Sequence, residues 1–140
     1  MSEVLCLTTA HVMEPYRDLL ERALAHSQGT HLWEDIIEAV DQKDMFFWPG
    51  KRSAAITEVL EFPRKRCMHI FLAAGDMEEL KEMEPCFVEF AKHFECDFVS
   101  LSGRAGWKKS LKDMGYEAAH ISLFKKVDYV KRRSNERQKN

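Results

Sequence analysis

Apolar and polar residues along this chain recur with two different periods, and the change of period divides it. In the first forty residues the period is helical. Tyr16, Leu19, Leu20 and Ala23 stand at i, i+3, i+4 and i+7, behind a proline at position 15 that can open a helix where a missing N–H costs nothing. That helix is expected to stop near Gly29. Thr30 is placed to cap a second helix whose apolar stripe is Leu32, Trp33, Ile36, Ile37 and Val40, with Glu34, Asp35 and Glu38 outside it. Ahead of both, Leu5, Leu7 and the threonines after them suit a short strand.

The period then shortens. Met45-Phe46-Phe47-Trp48 reads as a strand and Pro49-Gly50-Lys51-Arg52 as a turn. Residues 54–62, with Ile56, Thr57 and Val59, read as the next strand, and Pro63-Arg64-Lys65 turns the chain again. Residues 67–74 are apolar at nearly every position, as suits a strand buried on both faces. Together these predict a three-strand antiparallel meander. Asp76 and Glu79 form a D-x-x-E capping signal for a third long helix, striped by Phe87, Phe90, Ala91 and Phe94 and kinked or split at Pro85. Residues 97–101 read as a strand parallel to 67–74, because a helix crosses between them. A turn and helix follow over 103–114, with Trp107, Leu111 and Met114 on one face and Gly115 as the left-handed stop. Residues 119–127 predict a last strand, and the chain from Lys131 onward predicts a mobile tail.

Composition changes this picture little. The 140 residues fit one domain, with 45% hydrophobic and 31% charged residues. A net charge of -2 excludes a generally basic nucleic-acid binder, but it hides an asymmetry. Residues 125–140 carry seven basic and two acidic side chains, and the rest carries fourteen basic and twenty-one acidic, a net of -7. Cys6, Cys67, Cys86 and Cys96 make no C-x-x-C pair and have no zinc-ligand spacing. The last three lie in apolar stretches and read as buried, reduced thiols. No signal-peptide pattern opens the chain and no apolar run reaches membrane length. A cytoplasmic (host-cell) or virion location is expected.

This order of elements resembles the GNAT acetyltransferase superfamily over about residues 1–127, leaving 128–140 as a basic tail. The carrying segment is Gly103-Arg104-Ala105-Gly106-Trp107-Lys108-Lys109-Ser110-Leu111-Lys112-Asp113-Met114-Gly115-Tyr116. It is similar to the late GNAT helix that ends in Gly-Phe or Gly-Tyr, and its G-R-x-G-W…G-[FY] form resembles a phage and prophage branch of virion and morphogenesis proteins. The resemblance implies an α/β (α+β) fold. Its mixed sheet would be antiparallel in its first half, with a parallel, splayed strand pair and helices on both faces. It also implies a coenzyme A site at the start of the helix after the central strand, where free N–H groups and the helix dipole hold the pyrophosphate.

The chain departs from that site. The family pattern [RQ]-x-x-G-x-[GA] is matched here by Leu72, Ala73, Ala74, Gly75 and Asp76 running into Met77-Glu78-Glu79, with one glycine and no basic residue before Lys81. Asp76 can cap the N–H groups that phosphates would need, and the helix start is crowded with carboxylates. The tyrosine that the family uses as general acid corresponds to Leu111, and a family asparagine to Arg104; Tyr116 stands at the packing position after the glycine. Arg104 and Trp107 are candidates to shape a groove, set against plain turn and packing roles.

Other chemistry is sparse. Glu58 and Glu61 lie on one strand where a general base could activate an amine, set against the more ordinary reading of solvated or paired carboxylates. His69 is a candidate base set against a packed, hydrogen-bonded histidine. His11, His26, His31, His93 and His120 have no metal spacing. Lys131, Arg132, Arg133, Arg137 and Lys139 could contact phosphates, or simply be solvated. The expectation is a GNAT-fold protein without a cofactor that binds other proteins, phage structural proteins or copies of itself. The alternative is an acetyl-CoA-dependent N-acetyltransferase with a non-standard loop.

Overall fold

A computed structural model describes residues 8–103, 105–120 and 122–129. The short strand expected around Leu5, the residues Cys6 and Arg104, and the tail from 131 lie outside the described residues.

The helical first third forms in three pieces. Helix α1 (Thr9–Met13) is capped by the Thr8 side chain, which accepts from the His11 N–H. A 3-10 turn over Glu14–Tyr16 carries Pro15 at its start, and α2 (Arg17–Leu24) follows. Helix α3 (Trp33–Asp41) starts later than Thr30 suggests. Asp35 reaches back to the Leu32 N–H at 2.8 Å, whereas the Thr30 hydroxyl bonds His31 instead. Leu32, expected in the stripe, is therefore outside the helix and 67% exposed.

Strands β1 (Met45–Pro49), β2 (Ser53–Glu61) and β3 (Arg66–Gly75) make the predicted antiparallel meander. The β2–β3 register shifts between Ile56 and Thr57, where β3 holds one extra residue, Phe71, between the partners Leu72 and Ile70. Helix α4 (Met77–His93) is continuous through Pro85 rather than split. Strand β4 (Phe98–Leu101) pairs parallel to β3 from Cys67↔Phe98 to Ile70↔Leu101. Strand β4 ends at that point, and β3 runs on to Gly75 paired with β2 alone. Helix α5 (Ala105–Leu111) and a 3-10 turn (Lys112–Met114) end on Gly115 at φ 91°, the left-handed stop expected there.

Alternate residues of β2 bury on opposite faces. Ala54 and Ile56 pack with Leu72 against Met13, Leu20, Trp33 and Ile36 of the helical first third. Ala55 and Ile70 pack against Phe87 of α4. Burial of each large side chain contributes about 1.5–3 kcal/mol, which is what holds helices to both faces of the sheet. On the α4 side Trp48 packs edge-on to Phe87 and Phe90 and donates its N–H to Thr57 at 2.9 Å. Of the cysteines read as buried, Cys67 is buried, Cys96 half-buried and Cys86 exposed; Pro85 and Cys86 fall on the outer side of α4, away from the stripe.

One expectation fails. Residues 119–120 and 122–127 form no strand and are exposed throughout. The composition favours a strand, but a strand exists only as part of a ladder, and nothing among the described residues pairs with this segment.

Candidate functional site

Two regions along β3 bring chemical groups together. The first is its C-terminal end. Gly75, at φ 115°, turns the strand into α4, and a Cβ there would overlap the Arg52 carbonyl oxygen and come within 2.5 Å of Ser53 Cα. The glycine therefore serves a close approach between the β1–β2 turn and the helix start. Asp76 caps the helix: its carboxylate accepts from the Glu78 N–H at 3.0 Å and from the Arg52 guanidinium at 2.8 Å, and its own N–H donates to the Arg52 carbonyl.

Glu79 departs from the expected capping box. It turns away from the Asp76 N–H and enters the β1–β2 turn, where it accepts from the Lys51 and Arg52 N–H groups, each at 2.8 Å, and from the Ser53 hydroxyl. A Cβ on Gly50 would lie 2.6 Å from this carboxylate. The donors explain the electrostatics. The Arg52 side chain and the Glu78 N–H hold Asp76 below the usual carboxylate range, and the Ser53 hydroxyl and turn N–H groups do the same for Glu79. At the place where the resemblance implies a pyrophosphate site, this chain supplies its own carboxylates.

The remaining loop candidates scatter. Leu72 is buried against the first-third helices, and Ala74 pairs with Ala54. Ala73 faces α4 and lines a narrow cleft where β4 ends beside β3, with Ile70, Leu80, Glu84, Phe87, Leu101, Trp107, Leu111 and Tyr116. Trp107 lines this cleft, with its ring against Gly103. Tyr116 reaches the cleft beside Leu111, and its hydroxyl donates to Glu84 at 2.7 Å; burial first, and then Glu84, push its pKa well up.

The second region lies toward the N-terminal end of β3. Glu58 and His69 are direct cross-strand partners on β2 and β3. His69 Nδ1 is 2.8 Å from the Ser100 hydroxyl, which is also 2.9 Å from Cys67 Sγ. His69 is thus hydrogen-bonded, and burial lowers its pKa. Burial raises Glu58, with His31 acting in the other direction, and it raises the Cys67 thiol. Glu61 is separate: it is ion-paired to Arg66 at 2.8 Å at the far end of the hairpin. Of the two carboxylates read as possible bases, only Glu58 joins a cluster. Ser100 escaped sequence reading because its role depends on the parallel β3–β4 register, which no local pattern encodes. Among the described residues no group of His, Cys, Asp and Glu is arranged to hold a metal ion, and no helix is long and apolar enough to cross a membrane.

No family model matches the sequence, and no curated protein matches it. Solved structures do. A probable acetyltransferase superposes with a TM-score of 0.62 at 6% identity, covering 93% of this chain and 99% of that one. Glucosamine-6-phosphate N-acetyltransferase from Arabidopsis thaliana gives 0.56 at 15%, covering 90% and 98%. An integron cassette protein from the mobile metagenome of V. cholerae gives 0.54 at 10%, covering 99% and 98%. Identities this low speak for architecture alone, and with the antiparallel meander, the parallel β3–β4 pair and the helices on both faces they establish that this chain has the fold of the GNAT acetyltransferases.

Proposed function

We propose that this GNAT-fold chain does not perform ordinary acetyl-CoA chemistry and works by binding other proteins. The carrying observation is at the start of α4. There Asp76 accepts from the Glu78 N–H and Glu79 from the β1–β2 turn, so the donors and the positive helix end face internal carboxylates. A coenzyme A pyrophosphate would have to displace those bonds and approach two anions. The G-R-x-G-W…G-Y segment supports a virion or morphogenesis setting for such a protein.

A second reading has one observation in its favour. Glu58 and His69 sit half-buried side by side, and an amine could lose a proton there. That reading is an N-acetyltransferase that takes acetyl-CoA through a non-standard loop.

Titration calorimetry with acetyl-CoA separates the two. The expected Kd is above about 1 mM, less than about 4 kcal/mol of binding. Micromolar binding would overturn the first reading and favour the second. Asp76→Gly is the change expected to recover weak binding. Glu79→Arg would add a cation, but it would set that cation against the Lys51 and Arg52 N–H donors and is expected to unfold the turn instead.

A further inference from the structure

The side of the sheet opposite α4 is only partly covered. Ile70 packs toward α4, so Cys67 and His69 point to the other side. The first-third helices pack on that side at Ala54, Ile56 and Leu72, beyond the stretch that holds Cys67 and His69. The strand register lays two rows across this stretch. One is Glu58, His69 and Ser100, and beside it runs Leu60, Cys67 and Phe98. Cys67 is buried, Glu58, Leu60, His69 and Ser100 are half-buried, and Phe98 is 45% exposed. A polar row and an apolar row thus lie side by side within reach of solvent. Ser100 joins them: its hydroxyl is 2.8 Å from His69 Nδ1 and 2.9 Å from Cys67 Sγ.

We propose that Ser100 is a nucleophile with His69 Nδ1 as its base, and that this face hydrolyses carboxylic esters of short apolar acids. A hydroxyl has one proton to donate. The Cys67 thiol, kept protonated by burial, donates to the Ser100 oxygen and leaves the hydroxyl proton for Nδ1. Burial also keeps His69 neutral, so that nitrogen is free to accept. A hydroxyl within hydrogen-bond reach of a neutral imidazole is an activated nucleophile. In the first step Ser100 Oγ attacks the acyl carbon and its proton passes to Nδ1. The bond from that carbon to the alcohol oxygen breaks, and the imidazolium returns the proton to the departing oxygen. Water, deprotonated by His69, then attacks the acyl-serine and releases the acid, so water is the only co-reactant. Glu58, across the strand from His69, favours the imidazolium that forms between these steps. Leu60 and Phe98 seat the acyl chain beside Ser100. The proposal goes beyond the protein-binding reading and uses no acetyl-CoA. Its failure would leave the acetyl-CoA result untouched, so the two fail separately.

The full chain is treated with a fluorophosphonate, which labels serines activated in this way, and separately with p-nitrophenyl acetate and butyrate. Mass spectrometry of the labelled peptides is expected to place the adduct on Ser100. Ser100→Ala should abolish the labelling and the ester turnover, and His69→Gln should slow both about a hundredfold. The kcat/KM for butyrate should exceed that for acetate about tenfold, because two more methylenes leave water. The labelling rate should stay level through the ordinary imidazole range near 6.5 and fall only at lower pH, since the base titrates below that value. Circular dichroism checks that each variant is folded. An unlabelled parent, an adduct on another residue, labelling of Ser100 that His69→Gln leaves unchanged, or equal rates for the two esters would overturn the proposal. If His69→Gln does not fold, the position of the parent's adduct and the pH profile of its formation decide alone.

Discussion

The two ends of β3 treat buried charge in opposite ways. At the C-terminal end Glu79 is buried, yet its carboxylate meets two backbone N–H groups and a hydroxyl, and its pKa falls. Toward the N-terminal end Glu58 is half-buried without such donors, and its pKa rises, while that of its neighbour His69 falls. Burial alone disfavours the charged form, so the sign of the shift reports whether the fold supplied donors. The first end is closed by its own residues. The second keeps a carboxylate and an imidazole whose charged forms burial disfavours, and groups with such shifts are where a fold retains chemical capacity.

The sharpest way to break the first half of this comparison is steric. Gly75→Val would place a branched side chain at a positive φ against the Arg52 carbonyl and Ser53 Cα. Strain of this kind costs about 3 kcal/mol, or a Tm lower by about 10 °C for a chain of this size. Thermal unfolding followed by circular dichroism measures it. A drop below about 3 °C would mean that the turn and the helix start are not locked together.

The electrostatic half is tested by pH. The folded pKa of Glu79 lies below its ordinary value. The stability it contributes is therefore full above the ordinary carboxylate range and is lost as pH falls through the folded value. Glu79→Gln should lower the urea midpoint near neutral pH and flatten the acid limb of the midpoint-against-pH curve. Asp76 shifts in the same direction, so the flattening should be partial and become complete only with Asp76→Asn added. An unchanged acid limb in the double variant would refute the assignment.

How far the residues announced this arrangement depends on the range of the interactions. The meander, the crossover helix and the Gly115 stop were legible because each rests on local periodicity or one residue's backbone freedom. The cap at Asp76 was legible for the same reason. Glu79 was misread: D-x-x-E describes a reciprocal box within one helix, and the pull of a turn twenty-eight positions back is invisible in that window. The Cys67–Ser100–His69 contacts needed the parallel register. Residues 119–127 show the opposite failure, since their strand propensity is evident and the missing partner edge is not.

The smallest expected effect is the most direct test of the contrast, because it is the same substitution at the other end of the strand. In Glu58→Gln a carboxylate with a raised folded pKa is replaced by a neutral side chain of the same shape. The sign runs opposite to that at Glu79. A raised pKa means that the charged form is penalised in the fold; the penalty is present above the folded value and vanishes as pH falls below the ordinary one. Near neutral pH, Glu58→Gln should therefore be neutral to stabilising, by no more than about 0.5 kcal/mol because the group is only half-buried and solvent screens it. At about pH 3 it should match the parent. The comparison is made by urea unfolding at both pH values, beside Glu79→Gln. Loss of stability at neutral pH in both variants would show that Glu58 has donors of its own. The two ends of β3 would then be alike, and the case for chemistry at the Glu58–His69 pair would weaken with the contrast that supports it.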